Sequence, residues 1–410
     1  MSIHPSSSAL TSVAPVLQAQ VHADENALDA LSAATGRTSS PSVKKSKKPQ
    51  IKIKRRPVHG VLLIDKPLGA SSNQVLQRVK WLLKAEKAGH TGTLDPLASG
   101  VLPICLGAAT KFSQLHLDSN KTYLAIARLG QNTSTADAEG VITSATDASA
   151  LDLTAAALLD VQKTFTGQIE QTPPMYSALK VDGKALYDYA RAGIELEVKP
   201  REVRIHAIEM TEFKSLEDLE RLSPLAHWKL ADQDVAALTD EKNLLTEQTT
   251  HGAQVGTSMK TRALAIKVTC SKGTYIRTLA QDIGKHLGVG AHLVYLRRTA
   301  SGDFSIDECM DLEAFELLTQ EPRSALTSGS IKPIQCLLSE HEPIVLNEKD
   351  CAKFLSGMRR SGEWRDIDRV AVYAQNPTVL LGSAHTKGGE LIPDRLLNPL
   401  EINSILESLL

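Results

Sequence analysis

Between Ala88 and Gly100 the chain reads Ala-Gly-His-Thr-Gly-Thr-Leu-Asp-Pro-Leu-Ala-Ser-Gly, one carboxylate set among glycines and a proline. Such residues fix a backbone and present side chains. Asp95, ionised at neutral pH, has the chemistry of a nucleophile. An aspartate in a Gly/Pro loop can equally cap a turn, which is the commoner fate of a lone one. A second segment, Cys270-Ser-Lys-Gly-Thr-Tyr-Ile-Arg-Thr278, ends an apolar run in a turn bearing a lysine, a tyrosine and an arginine. If the chain is extended there, Tyr275 and Arg277 share a face, a stacking plane beside a fixed positive charge. The plainer alternative is a half-buried tyrosine and a surface arginine.

The elements that must position these residues can be read around them. Val61–Ile64 is a buried-strand run that stops at Lys66-Pro67 and turns at Gly69. Ser72 is placed to cap a helix whose Val75, Leu76, Val79, Leu82 and Leu83 fall on one face. The Gly89–Gly107 stretch, broken by glycines and prolines, predicts a structured loop leading into a strand over Val101–Leu106. Tyr123–Leu129 reads as the next strand, and Leu264–Cys270 alternates as a half-buried strand should. Leu279, Ile283 and Leu287 mark a later helix that Gly288 ends.

Composition bounds what the whole chain can be. The chain of 410 residues is long enough for two domains with sizeable cores, and its apolar and charged fractions are near the globular average. Net charge is −1, so no nucleic-acid partner follows from overall charge. The charge is segregated, however. Lys44 to Arg56 holds eight basic residues and no acid, whereas Glu212 to Thr250 is acid-rich. Five cysteines lack C-x-x-C spacing, which argues against a disulfide framework or a thiolate zinc site. No run of about 18 apolar residues and no secretory signal is present, and the chain reads as cytoplasmic.

Residues 1–59 read as a disordered Ser/Ala-rich extension followed by the basic run, which is either a solvated tail or a phosphate-gripping arm. Residues 60–326 read as the ordered domain that carries both segments, interrupted by an acidic insertion over 213–262. Thr327–Ser330 offers a linker, and 333–410, with strand candidates at Asp368–Ala374 and Val379–Gly382, predicts a small β-rich module.

Taken together and in order, Gly60–Gly69, Gly89–Gly107, Tyr123–Gly130, Cys270–Arg277 and His292–Arg298 resemble the TruB-type tRNA pseudouridine-55 synthases. The resemblance runs from about Gly60 to Arg298, the insertion apart, and more faintly through the C-terminal module, which resembles the family's PUA domain. It implies an α+β pseudouridine synthase fold on a mixed, mainly antiparallel sheet flanked by helices and loops. Asp95 matches the family's catalytic aspartate, and Arg277 the arginine that pairs with it and keeps it ionised. Tyr123 matches the active-site tyrosine set against the target base. Tyr275 and Leu296 would line the uracil pocket, and His90 would insert into the RNA loop where the uridine is flipped out. Lys66 belongs to a Lys-Pro motif and is expected at the substrate site as architectural support.

The resemblance also implies a tRNA (T-arm) partner, no metal or other cofactor, no membrane and no obligate protein partner, with the chain a monomer. Arg359 and Arg360 of the C-terminal module are candidate phosphate contacts. Two other readings share these motifs: a guide-RNA-dependent synthase, and an RNA-binding or folding module.

Overall fold

The computed structural model describes residues 54–223, 260–319, 330–376 and 378–409. Most of the 1–59 extension, most of the 213–262 insertion and the linker before Ser330 therefore lie outside the described residues. The described contacts of the fold include residues before Gly60. Arg56 bridges to Ala85 in parallel fashion, with Arg55 Nη1 and Arg56 Nε donating to the Ala85 and Leu83 carbonyls.

The large sheet is built from β1 (Gly60–Lys66), β2 (Ala88–His90), β3 (Ala98–Leu106), β4 (Lys121–Leu129), β5 (Gly167–Gln171), β6 (Arg201–Glu212), β7 (Arg262–Cys270), β8 (Ala291–Ser301) and β9 (Met310–Asp311). Their order across the sheet is β9-β1-β3-β8-β4-β7-β6-β5, with β2 beside β3. Only β1–β9 and β3–β8 pair in parallel along this path, so the sheet is mixed and mainly antiparallel, as expected. Strands β1 and β3 are buried along their whole length, which is why they read as near-continuous apolar runs.

Helix α1 (Ser72–Leu82) lies where its apolar period placed it, with Val75, Leu76 and Val79 buried. Its cap is Ser71, one residue earlier than expected. Ser71 and Gln74 form a reciprocal capping box, which frees Ser72 for another task. Helix α2 (Ile276–His286) buries Leu279 and Ile283 and is closed by Gly288 at φ +79. Its start corrects the extended geometry expected for Tyr275 and Arg277: Tyr275 is the N-cap and Arg277 sits in the first turn.

The described beginning of the acidic 213–262 stretch is not an excursion. Phe213, Leu219 and Leu222 are buried against Ile126 and Ala265 on one face of the sheet. That packing also explains why β7 is more buried than a simple alternation predicts.

The C-terminal part is a second sheet, β10 (Glu342–Leu346), β11 (Arg360–Ser361), β12 (Ile367–Ala374), β13 (Val379–Lys387) and β14 (Glu390–Leu396), in the order β10-β12-β13-β14-β11. It shares one apolar core with the first sheet: Val61, Cys105 and Phe112 pack in the same cluster as Leu337, Phe354, Val370 and Leu381. A polar tie runs alongside, Lys111 Nζ to Glu401 at 2.6 Å and Arg395 Nη1 donating to the Lys111 carbonyl at 2.6 Å. Of the two expected phosphate contacts, Arg360 is engaged by Asp350 at 2.6 Å, whereas Arg359 is more exposed and meets Glu390 at 3.2 Å. Among the described residues no helix is long and apolar enough to cross a membrane.

Candidate active site

The Asp95 loop is held on several sides before any ligand arrives. Ser72 Oγ accepts the Leu94 N–H at 2.8 Å and donates to the Leu94 carbonyl at 2.9 Å, so the freed first residue of α1 pins the neighbour of Asp95. Gly69 N–H reaches the Pro96 carbonyl at 2.9 Å, and Arg298 Nη2 donates to the Gly92 carbonyl at 3.2 Å. Gly92 takes φ +86, which L side chains seldom adopt. At Gly100 the reason for glycine is contact: a Cβ would lie 2.1 Å from the Arg298 carbonyl, because β3 and β8 run side by side there.

From the opposite wall, Arg277 brings a guanidinium to this loop. Its Nη2 stands 3.0 Å from Asp95 Oδ2, with the arginine side chain 5% and the aspartate side chain 39% exposed. The rest of the guanidinium is anchored by the Thr135 carbonyl at 2.9 Å, the Tyr176 carbonyl at 2.7 Å and Asp137 Oδ2 at 3.5 Å. Four acceptors around one buried cation leave it a single orientation. Tyr275, beside it, is fixed by Gln171, whose Oε1 accepts the Tyr275 N–H at 3.0 Å.

These walls enclose a cleft of about 300 Å³, lined by Asp95, Tyr123, Tyr275, Arg277 and Leu296 among others. That is at the lower end of the roughly 300–1,000 Å³ typical of small-ligand sites. Five of the seven residues singled out from the sequence thus converge. Lys66 and His90 do not line the cleft. Lys66 is fully buried with Nζ donating to the Pro67 and Ala70 carbonyls, so it braces the turn after β1. His90 is half-buried at the end of β2, with Nδ1 buried and unpartnered.

Burial dominates the electrostatics. It pushes the Asp95 carboxyl above its ordinary range; Arg277 pulls it down, Asp137 adds to the rise, and Lys66 opposes it. The pairing expected for Arg277 is present, but it restrains this rise rather than reversing it. Burial also lowers Lys66 to about 8, against the pull of Asp95. The Tyr123 phenol is raised by burial, with Arg298 as the main opposing influence. Lys121, another lining residue, is brought down to about 8 by burial and then by Arg298.

Sequence reasoning missed Asp137, Ser177, Lys121 and Arg298. Asp137 is 2% exposed and lies just after Ala136 at φ +63, in a tight turn that no pattern in the letters marked as functional. Ser177 is 4% exposed and lines the cleft with Oγ buried and unpartnered. Arg298 had a signal that went unused: with Leu296 facing the cleft, strand alternation puts residue 298 on the same side and 297 on the other.

The chain is similar to known proteins along most of its length. Residues 80–222 match the TruB family pseudouridylate synthase N-terminal domain, and 277–339 match the tRNA pseudouridylate synthase B C-terminal domain. A tRNA pseudouridine synthase B of Verminephrobacter eiseniae is 50% identical over 357 residues, 87% of this chain and 94% of that protein. One from Cupriavidus metallidurans is 44% identical over 359 residues, 84% and 96% of the two chains. Among solved structures, a chain in a Cbf5-Nop10-Gar1 complex superposes with TM-score 0.55 at 23% identity, covering 84% of this chain and 86% of that one. A chain in an H/ACA RNP bound to a substrate RNA containing 2′-deoxyuridine gives 0.53 at 22% identity, covering 83% and 86%. The structural matches speak to the fold alone.

Proposed function

The chain belongs to the TruB family of pseudouridylate synthases and acts as a tRNA pseudouridine synthase; on that premise we propose that its Asp95 cleft isomerises uridine 55 of the tRNA T-arm. The observation that carries this reading is the Asp95–Arg277 pair opening onto a cleft walled by Tyr123, Tyr275 and Leu296. A uridine reaches such a cleft only after leaving its stack, and His90, beside the loop, is the residue assigned to fill the vacated place. Once the base is seated, Tyr275 and Leu296 hold its faces and Asp95 assists cleavage of the N1–C1′ bond. The freed uracil turns, C5 bonds to C1′, the C5 proton leaves to solvent and N1 gains one. Bonds broken and formed balance, so the reaction needs no redox partner or hydrolysis. Tyr123 is the candidate acceptor of the C5 proton.

In this reading residues 60–326 carry the chemistry, and 333–410 form a PUA-like module contacting phosphate through groups such as Arg359. Lys66 supports the site from behind. The chain works in the cytoplasm as a monomer without an obligate protein partner. The test is tritium release from a [5-³H]uridine transcript of a T-arm-bearing tRNA, using purified chain alone, followed by mapping of the modified position. Release confined to position 55 is expected. No release, or release only with added guide RNA and proteins, would overturn the stand-alone reading.

A further inference from the structure

One guanidinium in the cleft has no part in the steps above. Arg298 is 1% exposed yet lines the cleft. It stands on β8 directly across from Tyr123 on β4. Its Nε donates to the Val101 carbonyl at 2.8 Å and its Nη2 to the Gly92 carbonyl, while Tyr123, its cross-strand partner, lines the same cleft. A Cβ on Gly92 would come within 3.2 Å of Nη1, so the turn leading to Asp95 is wrapped around this side chain. One planar group therefore ties the loop carrying the carboxylate to the strand that follows it, directly across from Tyr123.

Its charge has a cost that backbone support does not explain. Lys66, Lys121 and His90, each already destabilised as cations by burial, are pushed further in the same direction by Arg298. A neutral donor could bind the two carbonyls without opposing the charge on Lys66 and Lys121. What a neutral donor does much less well is favour negative charge on the phenol. The groups facing that phenol are Arg298 from β8, Cys270 from β7 and Asp95 from its loop, with Lys121 two residues away on β4 and Lys272, Tyr275 and Arg277 completing the cleft. Cys270 and Asp95 disfavour the phenolate; Arg298 is the largest influence in its favour.

We propose that Arg298 is a positioning residue that aims the Tyr123 oxygen at the base and eases its carrying negative charge, so that Tyr123 takes the C5 proton. The inference rests on the role given to Tyr123 above. When the C1′–C5 bond has formed, C5 bears a surplus proton. The phenolate oxygen accepts it, the C5–C6 double bond is restored, and the phenol returns the proton to water.

The test is a double-variant comparison in the full chain: Arg298→Gln and Arg298→Lys, each alone and with Tyr123→Phe. Single-turnover tritium release is followed across pH, with KM for tRNA and thermal unfolding measured alongside. Arg298→Gln is expected to slow release by about 10- to 100-fold. It should move the rising limb of the pH profile upward and leave KM within about twofold, and the Lys variant should recover part of the rate. In the Tyr123→Phe background either substitution should cost less than about twofold, since its route of action is gone. Full multiplication of the two losses, or an unmoved pH profile, would overturn the proposal. A wild-type rate for Tyr123→Phe alone would instead remove the role of Tyr123 on which it rests. If Arg298→Gln fails to fold, the charge-retaining Lys variant carries the same comparison, with a loss confined to the Tyr123 background expected.

Discussion

Two aspartate–arginine pairs in this chain use the same side-chain types in opposite arrangements. Asp65 and Arg297 meet through both oxygens and both Nη atoms, at 3.0 and 2.7 Å, with side chains 8% and 2% exposed. Asp95 and Arg277 meet through one contact at 3.0 Å, and the carboxylate keeps 39% of its surface. In the first pair each charge consumes the other, and Ser99 Oγ takes a further donor at 3.2 Å. In the second, the arginine is held mostly by other acceptors and leaves the carboxylate's remaining oxygen to the cleft. On the proposed reading, the difference between a brace and a reactive pair is where the remaining valence points, not the residue types.

The comparison can be broken most forcefully at the brace. Asp65→Asn strips a fully buried arginine of its bidentate partner and should cost about 3–5 kcal/mol of stability, read by denaturant unfolding. The surviving folded molecules should turn over near the normal rate; a selective loss of turnover would make the brace part of the machinery. Next in size is Asp137→Asn, which should slow turnover by about 10- to 100-fold, because Arg277 loses a buried carboxylate that orients it, while tRNA affinity stays near normal.

Ser72→Ala removes the partner of both Leu94 backbone groups and should cost about 1–3 kcal/mol, with a fall in kcat larger than any change in KM. The smallest effect is in pH. Because the folded-state pKa of Asp95 is raised above its unfolded value, the native state holds that proton more tightly, and ionising Asp95 lowers stability as pH rises through the window above the ordinary carboxylate range. Asp95→Asn should therefore melt at or slightly above the wild-type temperature near neutral pH, with the gap closing in acid. A lower melting temperature at neutral pH would mean that the pair stabilises the fold as Asp65–Arg297 does.

What the sequence made legible follows from how local each signal is. Strand β1 could be read because burial on both faces writes a continuous apolar run, and the Asp95 loop because its glycines are forced by contact and by φ. The spacing of Tyr275 and Arg277 led to the right cleft by the wrong geometry, since helix α2 begins between them. Ser71 and Ser72 are both plausible caps by type, and only the distant Leu94 decides which one turns away. Asp137 was invisible because its value comes from Arg277, 140 residues later, across the fold. Phe213 and Leu219 looked like the start of an acidic excursion because the surface they cover belongs to β4 and β7.

The central claim, that Asp95 with Arg277 is the reacting pair and Asp65 with Arg297 its structural counterpart, is tested most directly by one measurement. Single-turnover tritium release by Asp95→Asn and Asp65→Asn is compared, each normalised to its folded fraction. Asp95→Asn should release at least about 10³-fold more slowly with folding intact, and Asp65→Asn should release within a few-fold of wild type per folded molecule. Comparable rates for the two variants, or retained release by Asp95→Asn, would contradict it.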